Sequence, residues 1–204
     1  MRLATYNIEW FSNLFTDANK PDPSEEWSGR WNITRAAQLT ALKSVFQAVD
    51  ADAVMVIEAP DQSPSRNCTQ ALERFAEWAG LRTTRAVTGF ESHTQQEIAL
   101  LFDPTVLSAQ HDPRESEAAP RFDKKFKRDL DVDDRPETVV WSKPPCELAL
   151  TTARGTALRL IGVHENPKPP TARGMMRTPC GSASPTGASS THNVFGCVPG
   201  WMRI

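Results

Sequence analysis

The segment Thr5–Trp10, TYNIEW, lies close to the start of the chain and has the composition of a β-strand. Its β-branched and aromatic residues, preceded by Leu3, favour an extended conformation. Alternation with a period of two separates apolar from polar side chains: Tyr6, Ile8 and Trp10 on one face, Thr5, Asn7 and Glu9 on the other. The polar face fits either an edge strand with one wet side or a functional site at the end of the strand.

The composition is that of one soluble globular domain. The chain has 204 residues, 39% of them hydrophobic and 24% charged, which is enough for a substantial core. Its formal net charge of −2 gives no general attraction to nucleic acid or to anionic membranes. A nucleic-acid substrate would therefore need local basic patches or metal ions.

The chain shows no targeting signal and no cysteine motif. Met1-Arg2 leads directly into strand-like sequence without an apolar signal region, and no run is long enough to span a bilayer. The four cysteines, Cys68, Cys146, Cys180 and Cys197, lack C-x-x-C spacing, so neither zinc nor a redox pair is indicated. Free thiols and a cytoplasmic location are the simplest expectation.

Apolar periodicity predicts the elements that follow. Helices are expected over Asn32–Asp50 and Thr69–Ala79, with a buried strand over Asp52–Glu58 between them. Further strands are predicted over Leu81–Val87, Glu97–Phe102, Glu137–Trp141, Cys146–Thr152 and Ala157–His164. The densely charged stretch Ser108–Pro136 has no clear period and is interpreted as a long surface excursion. This order of elements indicates an α/β sandwich.

Three polar residues lie at the ends of predicted strands: Asn7, Glu58 and His164. Each has a structural explanation, because Glu58 could cap a helix or meet an arginine, and a lone histidine or asparagine is commonly a satisfied hydrogen-bonding residue. A carboxylate that ends an apolar strand is nevertheless costly unless it is solvated, paired or bound to a cation. If the three strands are neighbours, the three side chains converge at one rim of the sheet, where ligand sites of open α/β sheets collect.

The order of four motifs resembles the endonuclease/exonuclease/phosphatase superfamily, which has the deoxyribonuclease I-like fold. These motifs are TYNIEW, DADAVMVIEAP, QEIALLFDP and the strand ending in GVH, and the resemblance covers residues 1 to about 164. It implies an α/β fold (α+β in some classifications) that forms part of a four-layer αββα sandwich with mixed sheets. It also implies a phosphoesterase dependent on Mg²⁺ or Mn²⁺, acting as a nuclease, phosphodiesterase or phosphatase.

The same resemblance implies roles for the strand-end residues. Glu58 would be a ligand of the divalent cation, Asn7 would support the metal and line the catalytic site, and His164 would hydrogen-bond the scissile phosphate. Hard oxygen ligands suit Mg²⁺, which neutralises charge on phosphoryl oxygens. The expected partner is a phosphoester substrate, with nucleic acid among the candidates, and no protein partner is implied.

Two further sets of residues are weaker candidates. His93 and Gln96 precede a predicted strand and could reach the same rim. A basic cluster with interleaved aromatics could contact a phosphate backbone: Lys124, Lys125, Lys127 and Arg128 with Phe122 and Phe126. Neighbouring aspartates dilute its charge, so a solvated loop is the better interpretation.

The sequence departs from the family after His164. Neither the Gly-Asp-x-Asn motif nor the Asp-His pair of the family follows, and no Asp occurs after Asp134. Residues 165–204 are rich in Pro, Gly and Ser and have no period, so we expect a disordered tail. Restoring one adenine near codon 165 yields a frame with Gly-Val-His-Glu-Lys-Ser-Lys and an amphipathic, helix-like stretch, which suggests a frameshift. The expected phosphoesterase would then be impaired, and the alternatives are a non-catalytic fragment or a nucleic-acid-binding module.

Overall fold

The computed structural model describes residues 1–117, 120–128 and 137–164. All of them lie within one compact unit, whose bounds are Met1–Asn166. The predicted disordered, out-of-frame tail over residues 165–204 lies outside the described residues and stays a prediction. Resequencing codons 165 and 166 tests it.

The described residues form two α-helices, one short 3-10 helix and nine strands. In chain order the elements are β1 (Leu3–Asn7), the 3-10 helix (Phe11–Leu14), α1 (Arg35–Val49), β2 (Ala53–Ala59), α2 (Cys68–Ala79), β3 (Arg85–Thr88), β4 (Glu97–Phe102), β5 (Leu107–His111), β6 (Phe126–Arg128), β7 (Glu137–Val139), β8 (Cys146–Thr152) and β9 (Ala157–Gly162).

Both α-helices have side-chain caps at their first turns. The side chain of Thr34 accepts a backbone hydrogen bond at the start of α1, and that of Asn67 does so for α2. The helices end at Asp50 and Gly80, which adopt left-handed backbone conformations. No helix in the described part of the chain is long and apolar enough to cross a membrane.

The strands of the described residues form three sheets. The largest has the order β1-β2-β4-β3, in which β1 runs parallel to β2 and the other pairs are antiparallel. The second sheet, β5-β8-β9, is antiparallel, and β6 pairs with β7 in a two-stranded sheet. The largest sheet is therefore mixed, because the α1 crossover makes β2 parallel to β1 whereas β4 returns antiparallel to β2.

Two hydrophobic cores define three layers. One core lies between the helices and the four-stranded sheet and includes Leu39, Leu72, Phe75 and Val56. The other lies between the two larger sheets, and its members are Ala53, Met55, Ile57, Ile98, Leu100, Phe102, Leu107, Cys146, Leu148 and Leu150. Consecutive residues of β2 alternate between the two cores, which explains why its sequence is apolar throughout. The described residues thus have a helix–sheet–sheet arrangement of mixed α/β class.

Several predicted boundaries were wrong. The stretch interpreted as a surface excursion, Ser108–Pro136, contributes most of β5 and all of β6. β5 was missed although its apolar and polar residues alternate, because it is only five residues long and leads into the charged stretch; in the structure it pairs with β8. Apart from 118–119 and 129–136, the other residues of Ser108–Pro136 are described, and they form no further named strand.

The two predicted strands that flank turns also differ from the structure. The strand predicted over Leu81–Val87 begins only at Arg85. Residues 81–84 connect the end of α2 at Gly80 to this strand. β1 ends at Asn7, and Trp10 has φ 61°, which turns the chain away from the sheet. Trp10 therefore does not share a strand face with Tyr6.

One side of the described part of the chain is open. Among the described residues, β1 pairs only with β2 and β9 only with β8, so each presents a free edge. A groove with mainly apolar walls runs between these edges, lined by Leu3, Ala4, Thr5, Met55, Ile57, Leu100, Leu160, Ile161, Gly162 and Val163. Its exposed residues are unusually apolar: Ile161 is 47% exposed and Leu3 44%.

Candidate functional site at the rim of the four-stranded sheet

The three polar residues at predicted strand ends lie together. Glu58 Oε1 is 3.5 Å from Asn7 Nδ2 and 3.4 Å from His164 Nε2. Asn7 is the last residue of β1, Glu58 is the penultimate residue of β2, and His164 follows the end of β9 by two residues. The predicted convergence at one rim is therefore what the structure shows.

A β-bulge directs the Glu58 side chain to this rim. The pairing of β2 with β4 shifts register between Ile57 and Ala59, and Glu58 adopts φ 60°. Val56 and Ala59 both contribute to the helix-side core, so Glu58 is the additional residue between them. A non-glycine residue in this left-handed region is uncommon, and such conformations concentrate at functional sites.

Gln96 and Lys143 complete the network. Gln96 Nε2 donates to Glu58 Oε2 at 2.9 Å, while Lys143 Nζ donates to Gln96 Oε1 at 2.6 Å. Lys143 Nζ also lies 2.8 Å from His164 Nδ1. We refer to Asn7, Glu58, Gln96, Lys143 and His164 as the rim network.

Sequence reasoning found Gln96 only as a weak candidate and missed Lys143. Lys143 lies in the short loop between β7 and β8, where no periodicity marks it. The available signal was a lone lysine followed by Pro144 and Pro145 between two predicted strands. Only the structure shows that Lys143 belongs to the rim network, where the residue is just 8% exposed.

Burial and charge set the protonation of the network. Desolvation lowers the pKa of Lys143, whereas the carboxylates of Glu58 and Glu97 oppose that shift. Desolvation is the main cause that lowers the pKa of His164, and the positive charge of Lys143 lowers it further. The Glu58 carboxylate acts to raise this pKa. When Lys143 donates to Nδ1, the proton of neutral His164 resides on Nε2 and faces Glu58.

A second carboxyl group lies next to Gln96 in the chain. Glu97 is only 1% exposed, and burial raises its pKa from 4.5 to about 7. The backbone N–H of Ser92 donates to both of its carboxyl oxygens, at 3.3 and 3.0 Å. Glu97 therefore changes its protonation near neutral pH in the interior behind the rim.

The rim borders an open cavity of about 780 Å³ between β1 and α1. Its polar walls come from Asn7, Glu9, Arg30 and Glu58. Arg30 Nη1 pairs with Glu9 Oε2 at 3.2 Å, and both side chains are about half exposed. The volume falls within the range of small-molecule sites in proteins.

The rim offers few metal ligands. Within residues 1–117, 120–128 and 137–164, no group of three or more His, Cys, Asp or Glu side chains is arranged to hold a metal ion. Glu58 and the amide oxygen of Asn7 are hard donors of the kind that Mg²⁺ takes, and Mg²⁺ commonly uses one or two carboxylates together with substrate phosphates. These two residues fit a weak Mg²⁺ site.

The remaining candidates do not join the rim network. His93 is exposed, and its described hydrogen bond is a backbone contact with Ser142. In the basic cluster, Lys124 Nζ pairs with Glu115 at 2.8 Å, and Phe122 packs edge-on against Trp141. These contacts engage Lys124 and Phe122 locally, whereas Phe126–Arg128 is strand β6 and not the loop that the sequence predicted.

The buried cysteines are free. Cys68 and Cys146 form no disulfide, and burial raises the pKa of both thiols, that of Cys146 to about 12. Both are therefore protonated, unreactive core residues. Cys180 and Cys197 lie outside the described residues.

Comparison with known proteins adds no relative. The chain matches no protein-family model, no curated protein and no solved structure.

Proposed function

We propose that the rim is the phosphoester site of a Mg²⁺-dependent hydrolase of the endonuclease/exonuclease/phosphatase type. The observation that supports this proposal is the convergence of Asn7 of β1, Glu58 of β2 and His164, which lies two residues beyond β9. The resemblance of the sequence motifs implies the same three residues. The helix–sheet–sheet layers agree with part of a four-layer αββα sandwich, and the free edges of β1 and β9 are where further strands would extend it.

The side chains suit a phosphoryl group. The Lys143 ammonium group and the Nε2–H of His164 are donors that could bind phosphoryl oxygens. Glu58 and Asn7 would hold Mg²⁺, which when bound neutralises charge developing on those oxygens. The short contact between Lys143 and His164 fixes the histidine tautomer before substrate arrives, which reduces the cost of orienting the donor.

The proposed activity is slow. In the described residues, Glu58 is the carboxylate in the rim network; its oxygens accept from Asn7 and Gln96, and Oε1 lies 3.4 Å from His164 Nε2. No second carboxylate of the network is placed to activate water. A missing general base typically costs about 10²- to 10⁴-fold in rate.

The test is hydrolysis of bis-p-nitrophenyl phosphate by the 204-residue chain with and without Mg²⁺. We expect a low, Mg²⁺-dependent rate that falls by about 100-fold or more in Glu58→Gln. Glu77→Gln, which changes an exposed carboxylate on α2, is the matched control and should retain the rate. Equal rates in wild type and Glu58→Gln would overturn the proposal.

A non-catalytic binding role is the second candidate, and one observation favours it. Both Glu58 oxygens already have protein donors, as expected for a structural network without a metal. Calorimetric titration with Mg²⁺ distinguishes the hydrolase from the non-catalytic role. Binding that disappears in Glu58→Gln supports the hydrolase, whereas the absence of Mg²⁺ binding and of hydrolysis supports the non-catalytic role.

A further inference from the structure

Three tryptophans between β1 and α1 are unusually exposed. Trp31 is 92% exposed, Trp27 is 62% exposed and Trp10 is 45% exposed. Trp27 and Trp31 delimit the sequence Trp-Ser-Gly-Arg-Trp, which we call the tryptophan turn (residues 27–31). Such large rings are normally buried, and clustered exposure of this kind marks interaction surfaces.

The tryptophan turn is held in place by the surrounding backbone. Ser28 N donates to Ile33 O at 3.0 Å, and the Asn13 side chain donates to Ser28 O at 3.2 Å. Ser28 itself is fully buried. The exposure of Trp31 is therefore a property of an anchored turn.

Gly29 fits closely against the first tryptophan. It has φ +100°, and a Cβ at this position would lie 3.3 Å from the Trp10 ring and 2.6 Å from Asn13 Nδ2. A side chain at position 29 would disrupt both the backbone conformation and this contact. Glycine at position 29 therefore lets the turn pack against Trp10, while Trp31 stays exposed to solvent.

The turn adjoins the proposed phosphoester site. Arg30, which lies between the two exposed tryptophans, lines the same open cavity as Asn7 and Glu58. Its guanidinium pairs with Glu9, whose backbone carbonyl accepts from Gln38 on α1. Trp31 therefore directly follows a residue that lines this cavity, and Asn7 and Glu58 of the rim network line the same cavity.

We propose that the tryptophan turn stacks an unpaired base of a nucleic-acid substrate, with Trp31 as the main stacking residue. This inference rests on the proposed function, because it names the substrate class of the same site. A phosphodiester chain with a free base presents the two chemistries found here, namely an anion for the rim and a π-face for the rings. Stacking of this type tolerates any base sequence.

The charges favour stacking over electrostatic attraction. The chain has a net charge of −2, and Glu25 and Glu26 directly precede Trp27. An anionic membrane surface is recognised by clusters of four or more basic residues, whereas the tryptophan turn has one arginine. Binding should therefore depend weakly on salt, since few counterions are released.

The experiment compares two single strands on the full 204-residue chain. One is a thymidine oligonucleotide, and the other is an abasic strand of the same length with the same number of phosphates. We expect the wild type to bind the thymidine strand more tightly, with quenching of tryptophan fluorescence. Trp31→Ala should weaken thymidine-strand binding by about 5- to 150-fold and leave abasic-strand binding nearly unchanged.

Three further measurements complete the test. Trp31→Phe should recover most of the affinity, because a phenyl ring still stacks. Leu158→Ala, an exposed apolar residue at the start of β9, is the control and should bind both strands like the wild type. Thermal melting checks that each variant is folded.

The outcomes separate this inference from the proposed function. Equal wild-type affinity for the two strands, or an equal loss for both strands in Trp31→Ala, would overturn base stacking. Binding to anionic phospholipid vesicles that is lost in Trp31→Ala while oligonucleotide binding persists would also overturn it. Base-selective binding without any hydrolysis of bis-p-nitrophenyl phosphate would leave the stacking surface intact and refute the hydrolase.

Discussion

Lys143 Nζ lies 2.8 Å from His164 Nδ1, although the two residues are separated by the whole of the β8–β9 hairpin. This contact orients the imidazole, because Nδ1 accepts and leaves the proton on Nε2 towards Glu58. It also sets a cation beside a titratable ring. The histidine that ends the β9 segment is therefore controlled by a residue that the sequence did not single out.

Replacing Lys143 by Met should raise the pKa of His164. The Lys143 charge is one of two causes that lower this pKa, and the Glu58 carboxylate, which remains, acts to raise it. NMR titration of the imidazole C–H signals measures the change, and His164→Gln identifies the signal. Lys127→Met, which removes an exposed lysine, is the control. An unchanged or lower pKa in Lys143→Met would contradict the contact.

Replacing Glu97 by Gln should change how stability depends on pH. Burial raises the Glu97 pKa from 4.5 to about 7, so the folded state holds a proton that the unfolded chain releases. This contribution is complete below pH 4.5 and is lost as the pH rises through about 7. The free energy of unfolding of wild type relative to Glu97→Gln should therefore fall by at most ~3 kcal/mol across that interval.

Urea unfolding of both proteins at a series of pH values measures this difference. His111 and His164 have lowered pKa values, so their contributions change in the opposite sense, but they are common to both proteins and cancel. Glu77→Gln serves as the control, since its carboxylate is exposed on α2. If the difference in unfolding free energy between wild type and Glu97→Gln does not change with pH, Glu97 does not titrate in this interval.

Replacing Gln96 by Ala should destabilise the fold. Its side chain accepts from the buried Lys143 and donates to Glu58, so the variant leaves a buried ammonium group with one acceptor fewer. Such a loss costs about 1–3 kcal/mol. The neighbouring Gln95 is exposed, and Gln95→Ala is the matched control. Equal urea midpoints for the two variants would argue against the network.

Replacing Gly162 by Ala tests the packing of the two larger sheets. A Cβ at this position would lie 2.7 Å from Met55 Sδ and 2.8 Å from Ile98 Cγ2. We expect a loss of about 1–3 kcal/mol, because overpacking forces neighbouring side chains to shift. In a Met55→Ala background, which is itself destabilised by truncation of a core side chain, Gly162→Ala should cost less than it does in the wild type, because one of the two clashes is absent. If the single variant melts like the wild type, the sheets are not packed as described.

The strongly periodic elements were predictable from sequence. β4 and β8 have the predicted bounds, and both helices lie within a few residues of theirs. Local signals suffice for such elements, because apolar periodicity and capping residues act between near neighbours. β5 and the start of β3 were mispredicted, since pairing with distant strands decides them.

The sequence by itself identified Asn7, Glu58 and His164 as candidates for a site, because each is a polar residue near the end of a predicted strand. Only the tertiary structure decided that they meet, because parallel pairing of β1 with β2 and packing of the β9 sheet against β2 bring distant positions to one rim. The bulge at Glu58 and the buried position of Lys143 likewise depend on long-range contacts. Periodicity reports which face of an element is buried, whereas the direction of a loop lysine or a bulged carboxylate is set by the strands packed around it.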